Sequence, residues 1–107
     1  MNIDEAAQKL SRLGVDWADK RAAARLLEET RKSQLARIMR NCAEGSQAAK
    51  ETFALSTIEY QEHVEAMIEA GKQMDKARVA YESMRVWCDL YRTERATQRA
   101  EMENISG

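Results

Sequence analysis

The sequence predicts an all-α fold: an antiparallel hairpin of long, coiled-coil-like helices with a short N-terminal helix. Three observations support this prediction. The 107 residues include no proline and four glycines, so little interrupts a helix. Charged residues make up 33% of the chain and hydrophobic residues 44%, mostly as helix-forming types. Between residues 51 and 102 the apolar residues recur every three or four positions, which is the period of an amphipathic helix.

The first two predicted helices cover residues 3–13 and 16–43. Asn2 and Asp4 are candidate caps for the first helix, because their side chains can accept hydrogen bonds from amide groups of the first turn. Gly14 lies between the two helices. The chain can turn there or continue as one helix, because a single helical glycine costs only about 1 kcal/mol.

A third helix is predicted over residues 47–104. Gly45 is suited to end the preceding helix and Ser46 to cap the next one. A further break is open at Ser56, because Ser56 and Glu59 have the spacing of a capping box. We therefore expect the chain to reverse its direction between about Ala43 and Thr57, within a single helical domain.

An apolar stripe along the third helix is the candidate seam for the core or for a dimer. Its members follow helical spacing, and other helices have to cover them; they are Tyr60, Val64, Met67, Met74, Tyr81, Met84 and Cys88. Near the C-terminal end the apolar arc widens through Val79, Val86, Trp87, Leu90 and Tyr91. A helix with so wide an apolar arc needs two partners. We therefore expect a second copy of the chain to complete a symmetric homodimer.

The charges are arranged in blocks of opposite sign. Residues 20–40 contain seven basic and two acidic side chains, and residues 41–75 contain two basic and seven acidic ones. If the chain reverses between them, the two blocks lie side by side in antiparallel order. Exposed ion pairs contribute only about 0–1 kcal/mol each, so this pairing specifies orientation more than it adds stability.

No motif in the sequence indicates catalysis or metal binding. His63 is the only histidine, and no second histidine or cysteine stands at ligand spacing from it. Cys42 and Cys88 fall on apolar stripes and, in a hairpin, are too far apart for a disulfide, so we interpret them as buried small residues. The acidic residues between 59 and 69 lack the repeated Glu-x-x-His of a di-iron bundle. We expect no catalytic residue, metal or cofactor, and no enzyme activity.

The candidate interaction face lies in the C-terminal part of the third helix. Steps of seven, three and four place four arginines on one side of it, and two aromatic residues accompany them; the set is Arg85, Trp87, Tyr91, Arg92, Arg95 and Arg99. These residue types dominate protein–protein hot spots, so we expect a partner protein. The alternative is nucleic acid, because arginines neutralise phosphates and aromatic rings stack on bases. Nearby acidic residues make this alternative weaker.

The chain has neither the basic start and apolar core of a signal peptide nor an apolar run of the roughly 18 residues that a membrane span needs. We therefore expect a cytoplasmic protein with reduced thiols and no membrane contact.

Several short segments support a resemblance to a known group of proteins. They are Phe53-Ala54-Leu55-Ser56, Glu59-Tyr60, Ala77-Arg78, Val86-Trp87 and Arg92-Thr93-Glu94-Arg95-Ala96-Thr97-Gln98-Arg99-Ala100-Glu101. Over residues 52–103, roughly half the chain, the sequence resembles small helical proteins encoded by phages and prophages. Those proteins usually have His-Pro-Glu-Tyr where this chain has Thr57-Ile58-Glu59-Tyr60, so the proline that would break the helix is absent.

The resemblance implies a gene near phage recombination and replication functions, and it carries over no catalytic residue. We therefore expect a non-enzymatic phage or prophage accessory protein that binds another protein, in the DNA-processing machinery or elsewhere in the host. One alternative is a DNA-binding accessory that uses the Arg85–Arg99 face. The other is a structural coiled-coil component of a virion.

Overall fold

A computed structural model describes residues 1–42 and 45–106 of the chain. Across these residues the protein is all-α, as predicted, and contains no strand. Helix α1 is Ile3–Arg40, α2 is Gln47–Leu55 and α3 is Ile58–Ser106. None of these helices combines the length and apolar character that a transmembrane span requires.

The helical chain divides into two compact units, and the single helical domain stays a prediction. The terminal unit consists of Met1–Trp17 and Lys76–Gly107, and the central unit is Ala18–Asp75. A residue on a long helix contacts only the stretch of helix beside it, so contacts accumulate locally along the helices.

Helix α1 is continuous through Gly14. The short N-terminal helix predicted over residues 3–13, separate from a helix over residues 16–43, is therefore wrong. One helical glycine costs only about 1 kcal/mol, and here the missing side chain has a use. A Cβ at Gly14 would lie 3.3 Å from Cε2 of Tyr81, so the glycine lets the tyrosine ring approach the backbone of α1.

The caps at the starts of α1 and α2 follow the sequence, and the end of α1 does not. At the start of α1, Asn2 Oδ1 accepts a hydrogen bond from the Glu5 amide at 2.8 Å. Ser46 caps α2 as predicted, and its Oγ accepts from the backbone amide of the third helical residue. Gly45 has a φ of +114°, which favours glycine. Helix α1 already ends at Arg40, so Gly45 belongs to the turn before α2 and does not end α1. Ala43, where the sequence predicted the end of that helix, lies outside the described residues.

The break that the sequence left open at Ser56 is present: the segment predicted over residues 47–104 forms two separate helices, α2 and α3. The cap of α3 is Thr57, whose Oγ1 accepts a hydrogen bond from the Tyr60 amide at 3.3 Å. Ser56 Oγ instead donates to the Phe53 carbonyl at 2.7 Å. The cap lies one residue later than the Ser56–Glu59 spacing suggested, because the serine belongs to the end of α2.

A pair of alanine substitutions tests which hydroxyl caps α3. We expect Thr57→Ala to lower the free energy of unfolding by about 1 kcal/mol, the usual cost of losing an N-cap. Ser56→Ala should cost less than half as much, because its hydroxyl donates to an exposed carbonyl that water can satisfy. Urea unfolding followed by circular dichroism measures both. A larger loss for Ser56→Ala would place the cap at the serine.

In the terminal unit, α1 and α3 share a small core. The cluster consists of Ala6, Met84 and Cys88, with Leu10 and Leu13 packed against it. Beside it, the rings of Trp17 and Tyr81 are in contact, with centroids 5.4 Å apart and planes inclined by 35°. These side chains hold the first turns of α1 against α3.

In the central unit, polar contacts join α1 to α3. The Nη2 atom of Arg37 lies 2.6 Å from Oε2 of Glu59, which links the basic block to the acidic block. His63 Nε2 donates to the Leu27 carbonyl at 2.8 Å. The Arg37–Glu59 pair is about half exposed on both sides, so it contributes at most about 1 kcal/mol.

Candidate functional site

A shallow groove in the terminal unit brings together part of the predicted interaction face. It has a volume of about 340 Å³ and is lined by Ile3, Tyr91, Arg92, Arg95 and Arg99. Tyr91 is half-buried and the three arginines are exposed. The groove therefore combines an apolar floor with three guanidinium groups that are open to solvent. We call it the arginine groove.

The arginine groove arises where the apolar stripe of α3 gives way to arginine. Met84 and Cys88 are buried and Tyr91 is half-buried. Further steps of four along α3 reach Arg95 and Arg99, which lie on the same side of the helix. Ile3, the first residue of α1, lines the groove next to them. Residues 92–105 are all exposed.

The other two members of the predicted face, Arg85 and Trp87, do not line the arginine groove. By the 3.6-residue turn of the helix, they lie about 160° apart around α3. The Trp87 ring stacks on Tyr91, with centroids 5.4 Å apart and planes inclined by 18°, and 38% of the residue is exposed. This stacking orders both rings at the border of the groove.

The charge around the arginine groove is locally balanced. Four arginines between residues 85 and 103 are matched by Asp89, Glu94, Glu101 and Glu103. An Nη1 atom of Arg92 lies 4.0 Å from Oδ1 of Asp89, and both side chains are mostly exposed. The groove thus offers directional guanidinium donors without a strong net positive field.

The candidate seam of α3 lies on the covered side of the helix. Its seven members are all buried or half-buried within one chain: Tyr60, Val64, Met67, Met74, Tyr81, Met84 and Cys88. Contacts within the chain therefore already cover the seam.

The titratable residues that could have formed a site are engaged locally or at least partly buried. His63 donates to a backbone carbonyl. Cys88 is buried in the core cluster, Cys42 is half-buried, and the two thiols are not joined by a disulfide. Glu69 accepts a hydrogen bond from Gln73 at 2.9 Å. Among residues 1–42 and 45–106, no group of three or more His, Cys, Asp or Glu side chains could hold a metal ion.

A groove in the central unit was not predicted from the sequence. It has a volume of about 530 Å³ and is lined by Ile38, Asn41, Phe53, Ser56, Thr57, Ile58 and Glu59. Phe53 and Ile58 are both more than half exposed there. The signal in the sequence was an aromatic and a branched apolar residue flanking a helix break, but the pairing of α1 with this corner could not be read from it. The role of Ile3 in the arginine groove was missed for the same reason.

Comparison of the chain with protein-family models, curated proteins and solved structures finds no match.

Proposed function

We propose that this protein is a non-enzymatic accessory of a phage or prophage, located in the cytoplasm, that acts by binding another protein through the arginine groove. The observation that carries the proposal is the groove's composition. Three exposed arginines flank a tyrosine that is already ordered by ring stacking. Arginine and tyrosine are enriched among the residues that dominate binding energy at protein interfaces.

The chemistry of the groove favours an acidic, amphipathic segment as its ligand. A carboxylate can accept two parallel hydrogen bonds from one guanidinium group. Ile3 and Tyr91 supply the apolar contact that such a segment needs between its acidic residues. The partner would accordingly present apolar and acidic side chains on one face of a helix. On the resemblance to phage proteins, we place this partner among the DNA-processing proteins of the phage or the host.

The accessory is proposed to be an antiparallel helical hairpin. Support comes from contacts inside each unit. In the central unit, Leu27 contacts His63 and Arg37 contacts Glu59. The later residue of α1 therefore contacts the earlier residue of α3. Antiparallel packing of the two helices accounts for that order and for the pairing of the opposite charge blocks.

Direct DNA binding is the second candidate, favoured by the row of Arg92, Arg95 and Arg99 in one groove. The balance of charge on the same stretch of α3 opposes it, because affinity for DNA comes largely from neutralised phosphates. DNA binding would require the three guanidinium groups to act against four nearby carboxylates.

Charge reversal in the groove tests the proposal. We expect Arg95→Glu with Arg99→Glu to weaken capture of the partner protein from infected or lysogenic cells at least about 100-fold, since hot-spot residues contribute about 2 kcal/mol or more each. Arg12→Glu with Arg25→Glu is the matched control, with the same change of charge at exposed positions outside the groove. The control should capture the partner as the unchanged protein does.

The same proteins, titrated with duplex DNA, separate the two candidates. The proposal expects no groove-dependent DNA affinity at physiological salt. A DNA affinity that falls steeply between low and physiological salt, and that disappears only in the Arg95→Glu, Arg99→Glu variant, would replace protein binding with DNA binding.

A further inference from the structure

Helix α3 carries a second apolar stripe on the side opposite its buried seam. Val79, Val86 and Leu90 are each more than half exposed. Their steps of seven and four place them on one face. By the 3.6-residue turn, that face lies roughly 180° around the helix from Met84 and Cys88, which are buried against α1. A helix that is apolar on two opposite sides needs a second partner.

A row of alternating charge borders this stripe. Arg78, Glu82, Arg85 and Asp89 follow at steps of four, three and four along one flank of α3. From Arg78 onwards the charges are positive, negative, positive and negative, and from Asp89 backwards they are negative, positive, negative and positive. If two copies of the stretch are placed antiparallel, every position meets the opposite charge. If they are placed parallel about a two-fold axis along the helices, the two rows lie on opposite flanks of the interface and do not meet.

The charge row specifies one antiparallel register. Arg78 faces Asp89 of the second copy, and Glu82 faces Arg85 of the second copy. A two-fold axis perpendicular to the helices keeps the same flank of both copies together, so each of these pairs occurs twice in the dimer.

The apolar stripe independently fits the same register. Val79 is then level with position 88 of the second copy. It therefore fits between Val86 and Leu90 of that copy, as a side chain packs between neighbours on a facing helix. On the other flank, Trp87 is level with Ala80 of the second copy, so a large side chain meets a small one. Ser83, another small residue, lies beside the two-fold axis and allows the helices to approach.

We propose that two copies of this chain pair antiparallel through residues 76–94 of α3, with Val79, Val86 and Leu90 in the interface and the Arg78–Asp89 and Glu82–Arg85 pairs along its edge. The surface lies on the opposite side of α3 from the arginine groove. Pairing therefore leaves both grooves accessible, and it touches groove residues only at its edges, where Asp89 lies 4.0 Å from Arg92 and Trp87 stacks on Tyr91. An interface of one helix face is small, so the dimer should dissociate in roughly the micromolar range.

Sedimentation equilibrium of the full chain over a range of concentrations measures the pairing. Arg85→Glu places two like-charge contacts in each dimer and should raise the dissociation constant at least 10-fold. Glu82→Arg with Arg85→Glu restores opposite charges only in the antiparallel register, and should return the constant to within about threefold of its starting value. Val86→Asp should abolish the dimer. Arg12→Glu, an exposed control on α1, should leave the constant unchanged.

Circular dichroism of each variant checks that the helices are intact. A monomer at all concentrations, or an Arg85→Glu variant that pairs as strongly as the unchanged chain, would overturn the proposal. A double variant that stays as weak as Arg85→Glu would overturn the antiparallel register. The Arg95→Glu, Arg99→Glu variant should still dimerise, which keeps this proposal separate from the function of the arginine groove.

Discussion

Replacing Met84 by alanine is expected to lower the free energy of unfolding by about 2–4 kcal/mol. Met84 is 8% exposed and contacts Ala6 and Cys88 in the core of the terminal unit. The cluster is small, and its other members are short or only partly buried side chains. Because these neighbours have little freedom to close a gap, most of the cavity left by the missing thioether should remain.

Urea unfolding followed by circular dichroism measures the loss. Met102→Ala is the control on the same helix, where the methionine is 67% exposed and its truncation should change the free energy of unfolding by less than about 0.5 kcal/mol. Equal effects at the two positions would mean that the packing of α1 on α3 around Met84 does not stabilise the protein in solution.

Replacing Gly14 by valine is expected to cost about 2 kcal/mol, within the range for overpacked positions. A Cβ at this position would already lie 3.3 Å and 3.5 Å from two ring carbons of Tyr81. The two further methyl groups need space that the ring occupies, so Tyr81 would have to move away from Trp17, which it contacts.

Gly71→Val is the matched control for this substitution. Apart from the adjoining residues and backbone of its own helix, no atom of the described residues lies within 4 Å of the position of its Cβ, and valine is a slightly better helix former than glycine. The free energy of unfolding should therefore change by less than about 0.5 kcal/mol. Combining Gly14→Val with Tyr81→Ala should cost less than the sum of the two single changes, because the smaller residue removes the clash. Additive costs would show that the tyrosine does not limit the space at Gly14.

Much of the helical structure could be predicted because it depends on local chemistry. Asn2 and Ser46 cap helices where the sequence placed them, since a cap requires only a short polar side chain next to unsatisfied amide groups. The residues that share the α3 seam could be grouped from the sequence for a related reason. Helical periodicity shows which side chains share a face, and one continuous face has to be covered.

The candidate site could be predicted only in part. The spacing of Arg92, Arg95 and Arg99 correctly indicated that they share one side of α3, and the structure gathers them in one groove. Spacing could not show that Ile3 would line that groove, because this depends on where α1 begins beside α3. It also did not separate Trp87 from Arg85, since the two were grouped by their types and not by their angle around the helix.

The sequence by itself determined that the chain is helical, where two of the caps lie and which residues of α3 form the seam. It could do so because helix propensity, capping and periodicity act within a few neighbouring residues. Only the tertiary structure decided that the chain runs straight through Gly14, that Thr57 rather than Ser56 begins α3, and that three arginines meet Ile3. The contacts at Gly14 and Ile3 depend on what a distant part of the chain places beside these residues, whereas the cap at Thr57 depends on where the neighbouring helix α2 ends. The ring of Tyr81 packs where a side chain at Gly14 would lie. The residues next to Gly14 in the sequence do not indicate this contact.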